Sequence, residues 1–220
     1  MPSAREGTSR RPYGGQTPEE RAEQRRRRLL DAALELFGTR GYGPTTIDQI
    51  CQAANVGLKG FYDEFATKEQ LLVSLFDQQA SLAWERVFTT FPTIEPGEAS
   101  LGRYVDVFIR ALADDGRVAR VLFLESMGVS PEVERHRQHI HRDIGTFIAD
   151  LYDQGSLGPP VVGRGLPPRV ALALAGGILE TLRDWLIDPG GDPLEVLIED
   201  VRRTCHVFLA GVRSVDIGWL

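Results

Sequence analysis

Apolar residues recur along this chain at intervals of three and four, the spacing that lines one face of an α-helix, and no stretch alternates as a half-buried strand would. Thr17-Pro18-Glu19-Glu20 opens the first helix with a capping hydroxyl, a proline at the first helical position and acids in the first turn. Leu30, Ala33, Leu34 and Phe37 share its face, and Gly41 and Gly43 around Tyr42 stop it, because glycine tolerates a left-handed C-cap. Pro44-Thr45-Thr46 opens a second helix. Asp48 lies three residues after Thr45 and Gln49 three after Thr46, so either pair could form a capping box, though only one can be the cap. Ile47 and Ile50 point inward, and Asn55-Val56-Gly57 makes a tight turn, since asparagine enters the left-handed region readily. A third short helix follows over 58–65. Two short helices joined by a tight turn, after a longer one, make a helix-turn-helix domain.

The periodicity continues beyond Thr67. Leu72, Leu75, Phe76, Leu82, Ala83 and Val87 mark a long fourth helix ending near Phe91-Pro92, and Tyr104, Val107, Phe108 and Ala111 mark a fifth. The stretch 118–129 is apolar nearly all round, which predicts a helix enclosed by others. Pro131 starts another, with Val133, Ile140, Ile144, Phe147, Ile148 and Leu151 on one side. Gly155 to Pro168 reads as a linker, and helices over 168–187 and 193–212 close the chain. The expected fold is all-α: a flexible arm over 1–16, a three-helix helix-turn-helix domain over 17–69, and a larger helical domain over 70–220.

At 220 residues, 42% hydrophobic and 25% charged, the chain has the apolar content of a cored protein. Two cysteines far apart, Cys51 and Cys205, give no disulfide framework and fit a reducing compartment; with no signal-type apolar segment, the expected location is the cytoplasm. The longest run of small and apolar residues, 170–179, is too short to span a bilayer, so no membrane partner is expected. The net charge of −6 sits badly with nucleic-acid binding until it is divided. Residues 1–76 hold 11 Lys/Arg against 10 Asp/Glu, and the excess acid lies in 77–220. Arg25, Arg26, Arg27 and Arg28, with Arg10 and Arg11 upstream, offer a locally basic face for phosphates, although such a run is also an ordinary solvated helix face.

Residues 25–76, RRRRLLDAALELFGTRGYGPTTIDQICQAANVGLKGFYDEFATKEQLLVSLF, closely resemble the DNA-binding domain of the TetR family of transcriptional regulators. The resemblance is carried by the Leu-Asp-Ala-Ala-Leu-Glu-Leu-Phe helix, Gly41-Tyr42, Thr45-Thr46-Ile47 and Ile50, then Val56, Phe61-Tyr62, Phe65 and Thr67-Lys68-Glu69. Phe37, Ile50, Val56, Phe61 and Phe65 can bury together, and loss of one large side chain from so small a core costs ~3 kcal/mol or more. The resemblance implies a sequence-specific regulator, a ligand-responsive repressor that binds a near-palindromic operator as a homodimer. It also implies that Thr45, Thr46, Gly57, Leu58, Lys59, Gly60, Tyr62 and Lys68 meet double-stranded DNA. The threonines, Tyr62 and Lys68 would meet phosphates, and Lys59 would donate to guanine O6 and N7. Lys59, Gly60 and Asp63-Glu64 depart from the family pattern. Two carboxylates near phosphates repel unless they point away or pair with arginine.

The larger domain is expected to hold an apolar or aromatic effector and the dimer interface. Trp84, Tyr104, Phe108, Phe123, Met127 and Phe147 could line a cavity or simply fill the core, with Arg117, Arg120 or Glu125 as a polar anchor. Leu174, Ile178, Trp185, Leu197, Val201 and Phe208 hold helical spacing on the last two helices; they would form a four-helix bundle between subunits, or else complete one monomer core. Gly176-Gly177 costs ~1 kcal/mol per glycine in a helix, which a close crossing would justify. His136, His139 and His141 are read as surface histidines, because Arg135, Arg137 and Arg142 oppose a cation there; no metal and no cofactor is expected. Cys51 reads as packing. No Walker loop, Gly-x-Ser-x-Gly elbow, dinucleotide fingerprint or His-Glu-x-x-His motif points to an enzyme. The remaining alternatives are a regulator without a ligand and a protein that kept the fold for another task.

Overall fold

The computed structural model describes residues 17–93, 99–157, 165–187 and 191–214; the arm expected over 1–16, with Arg10 and Arg11, and the centre of the 155–168 linker lie outside them. The regular structure among these residues is helical. In chain order the helices are α1 Pro18–Arg40, α2 Ile47–Ala54, α3 Leu58–Glu64, α4 Lys68–Thr90, α5 Ala99–Ala113, α6 Gly116–Arg120, a π-helical turn Val121–Glu125, α7 Pro131–Asp153, α8 Pro168–Ile187 and α9 Leu194–Ser214.

Local chemistry explains the boundaries. Thr17 and Glu20 close a reciprocal capping box at the start of α1. At α2 the choice between two threonines falls to Thr46: its hydroxyl accepts from the Gln49 N–H, while Gln49 Oε1 accepts from the Thr46 N–H at 2.9 Å. Asn55 takes the left-handed turn between α2 and α3 at φ 50°. Ser130 caps α7, with Pro131 at its first position.

The single enclosed helix expected over 118–129 is broken. α6 ends at Arg120, the chain widens into a π-helical turn, and it reverses beyond Ser126. The Ser126 N–H reaches back five residues to the Val121 carbonyl, its hydroxyl donates to the Leu122 carbonyl, and Gly128 turns at φ 69°.

Two apolar clusters organise the molecule. The first packs α1 to α3 and the start of α4 around Phe37, Ile50, Phe61 and Phe65, with Val121 and Val133 entering from later in the chain. The second packs α5, α7, α8 and α9 with the rest of α4. α4 therefore runs through the boundary expected at 69/70 and serves both clusters. The two bodies meet closely at Gly38, where a side chain would stand 2.8 Å from the Arg117 Cα. No helix of the described residues is long and apolar enough to cross a membrane.

Candidate nucleic-acid interface and the regulatory cavities

Helix α3 buries Phe61 and turns the opposite face outward. Leu58, Lys59, Tyr62 and Asp63 are exposed on that face. Phe61 meets Tyr62 edge-on and lies 5.9 Å from Phe65, and burial of Phe61 and Phe65 with Phe37 and Ile50 fixes α3 to its support. Arg25 of α1 crosses above α3 and donates from Nε to Glu64 Oε1 at 3.0 Å, so this carboxylate is paired with arginine. Gly60 lies beneath that crossing. A side chain there would stand 2.9 Å from Val56 Cγ1 and 3.1 Å from Arg25 Cδ, so its small size serves packing against both the turn before α3 and α1. Gly57, in contrast, has open space where a side chain would be, next to the start of α3.

Two expected phosphate contacts are redirected inward. Thr45 is buried and its hydroxyl donates to the Gly41 carbonyl at 2.7 Å, so it holds the turn before α2. Lys68 Nζ donates to the carbonyls of Thr45 at 2.7 Å and Tyr42 at 2.8 Å, and lies 4.2 Å from the Tyr42 ring centre. Burial holds the Lys68 ammonium below the usual lysine pKa. Thr46, on the other hand, is exposed, and its hydroxyl proton remains available to an outside acceptor. The basic run is also mostly occupied. Arg26 donates to Ser74 Oγ and lies over the Phe65 ring, and Arg28 reaches the Asn55 carbonyl.

The turn before α2 is gripped from the other body as well. Glu125, closing the π-helical turn, accepts the Tyr42 backbone N–H at 2.7 Å and the Arg120 Nε–H at 2.9 Å. Arg117 bridges Asp115 and Glu35 of α1, both at 2.7 Å. These groups tie α6 and the π-helical turn to α1 and the turn after it.

The family model described as bacterial regulatory proteins, tetR family, matches residues 29–75, the segment that forms this interface. The chain therefore carries a DNA-binding segment of the tetR type. It is 24% identical over 161 residues to the fatty acid metabolism regulator protein of Bacillus subtilis, covering 73% of this chain and 82% of that one. It is 26% identical over 170 residues to the regulator UidR of Escherichia coli, covering 72% and 81%. The crystal structure of FadR from Bacillus subtilis in complex with stearoyl-CoA superposes with a TM-score of 0.70 at 22% identity, over 81% of this chain and 96% of that one.

Inside the second cluster the chain has two small apolar cavities, of about 50 and 30 Å3, that share Phe108 and Ile144 as walls. Tyr104 and Phe147 line the first, and Trp84 and Phe123 the second. Met127 does not: it is 43% exposed beyond the π-helical turn, because the chain has already reversed there. Leu174 and Ile178 also line the first cavity, and Leu197 and Val201 are buried in the same monomer core, so these four are not surface contacts. Trp185 and Phe208 are partly buried; the Trp185 indole donates to the Asp192 carbonyl at 2.6 Å.

His141 is half-buried against the second cavity. It lines the second cavity among apolar neighbours, and burial, then the Arg137 charge, hold its pKa below the usual imidazole value. Its spacing from Ile144 and Ile148 placed it on the core face, a signal that the neighbouring arginines masked. His136 instead contacts Asp77 at 2.7 Å. Among the described residues no group of His, Cys, Asp and Glu is arranged to hold a metal. Burial pushes the Cys205 thiol, on the first cavity's wall, up to about 12, and raises Cys51 as well.

Proposed function

We propose that this chain is a homodimeric, ligand-responsive repressor of a near-palindromic operator. The supporting observation is the π-helical turn. Val121 is buried in the DNA-binding cluster, Leu122 and Phe123 are walls of the second cavity, and Glu125 holds the turn before α2. A ligand that parts those walls acts directly on the segment that carries the reading helix.

The proposed DNA contacts are Thr46, Gly57, Leu58, Lys59 and Tyr62. Lys59 reads bases, Leu58 suits a thymine methyl, and Thr46 and Tyr62 hold phosphates. Dimerisation is assigned to the outward faces of α8 and α9, where Leu172, Ile187, Val196 and Val207 are exposed. Gly176, Gly177 and Gly211 leave open space on those helices in which a partner's helix can approach closely. Two recognition helices then reach successive major grooves ~34 Å apart. The ligand is apolar in its body. The solved FadR holds stearoyl-CoA, and an alkyl chain of that kind suits these walls. Ligand binding shifts the dimer toward a spacing that misses the grooves, and operator DNA weakens ligand binding in return.

Selection of bound sequences from random duplex DNA by the purified chain tests the first part: an inverted repeat with one-turn spacing is expected, and no enrichment over competitor would end the regulator reading. Titration of a bound ligand against the selected operator tests the second, where unchanged operator affinity would remove the linkage.

A further inference from the structure

Outside the two inner cavities, α4 and α7 form a groove open to solvent. Its floor is aromatic. Trp84 stacks on Phe88, with centroids 5.7 Å apart and planes at 20°, and both meet Phe147 edge-on at 5.0 and 5.8 Å. Phe88 is 55% exposed, a large apolar surface left uncovered in the monomer. Trp84 and Phe147, in ring contact, separate the groove from the cavities: Trp84 is also a wall of the second cavity and Phe147 of the first.

The rim is anionic. Glu85, Asp143 and Asp150 line it, and among the described residues no Lys or Arg does. Glu85 and Asp150 make no ion pair among the described residues, and Asp143 has only His139, 3.7 Å away and well exposed. The neighbouring Arg86 is turned to Asp114 at 2.8 Å.

We propose that this groove is the mouth of the effector site and that it takes an amphipathic cation. The apolar tail parts Trp84 from Phe147, which touch at 5.0 Å without it, and widens the cavities behind them, while an ammonium-type head rests on the exposed rings among the three carboxylates. Ring faces attract a cation through their quadrupole, and the carboxylates add Coulombic attraction that a phosphate-bearing head would meet as repulsion. The proposal rests on the effector reading above and deepens it by assigning the charge of the head group. It separates this chain from the relative that holds stearoyl-CoA.

Three probes with the same alkyl tail decide it: dodecyltrimethylammonium, dodecanoate and lauroyl-CoA, titrated calorimetrically into the full chain below their aggregation concentrations. The ammonium is expected to bind about tenfold more tightly than either anion, with a preference that shrinks as salt screens the rim. The paired substitution Asp143→Asn, Asp150→Asn, checked for helicity, should abolish most of that preference. If dodecanoate or lauroyl-CoA binds as tightly as the ammonium, the cationic head is overturned while the effector reading stands. An ammonium affinity unmoved by the two substitutions overturns it too. If none of the three binds, the proposal falls, and failure of any ligand to move operator affinity would take the effector reading with it.

Discussion

Glu125 Oε2 accepts the backbone N–H of Tyr42 at 2.7 Å, across 83 residues of chain. The carboxylate is only 17% exposed and its other oxygen is held by Arg120. Gly41 lies against it at φ 99°, where a side chain would approach to 3.0 Å, so the turn before α2 is shaped around this acceptor. One end of the π-helical turn therefore borders a cavity while the other holds the DNA-binding body.

Glu125→Ala should destabilise the protein by about 1.5–3 kcal/mol, the range for a hydrogen bond to a charged group, read from urea denaturation. Glu125→Gln keeps the acceptor without the charge and should cost about half as much. In both variants ligand binding should persist while its effect on operator affinity shrinks. A full ligand response in Glu125→Ala would remove this contact from the coupling.

Lys68→Ala should lower stability by about 1–3 kcal/mol, because two carbonyls of the turn lose their donor. Operator affinity should fall with the integrity of that turn, yet the slope of log affinity against log salt should stay as in the parent chain. Lys59→Ala is the contrast: stability unchanged and base preference relaxed. A salt slope reduced by about one in Lys68→Ala would return that ammonium to the phosphates.

Arg25→Ala leaves Glu64 with a carboxylate only 12% exposed and no cation beside it. Destabilisation of about 1–3 kcal/mol is expected, together with weakened operator binding from a negative charge freed next to DNA. Adding Glu64→Ala should restore part of both, giving a coupling of at least ~0.5 kcal/mol in a double-mutant cycle. Strict additivity would show that the pair contributes nothing.

The His141 imidazole has its pKa lowered by burial, then by Arg137, so the folded state disfavours its charged form. Its stability contribution is complete above the ordinary imidazole value and is lost as pH falls through the lowered one. Thermal midpoints should therefore drop between pH 7 and pH 5 in the parent chain, and drop less in His141→Phe. Parallel midpoint curves for the two proteins would show that another group carries the effect.

Sequence alone determined what depends on near neighbours: the helical period, the Thr17–Glu20 cap, the Asn55 turn, and the aromatic set of Phe37, Phe61 and Phe65 that seats α3. The period, the cap and the turn are written in residues one to a few turns apart, where spacing specifies contact, and the aromatic set was legible through its resemblance to a known family. Tertiary structure decided which partner each face and each charge would meet. It turned Lys68 and Thr45 into the turn before α2, Leu174 and Ile178 into a cavity wall, and Arg25 onto Glu64. The physical reason is that periodicity states which side chains share a face, while the occupant opposite that face comes from chain tens of residues away. Gly38 shows this most directly, since it is small for the sake of an arginine that only folding brings against it.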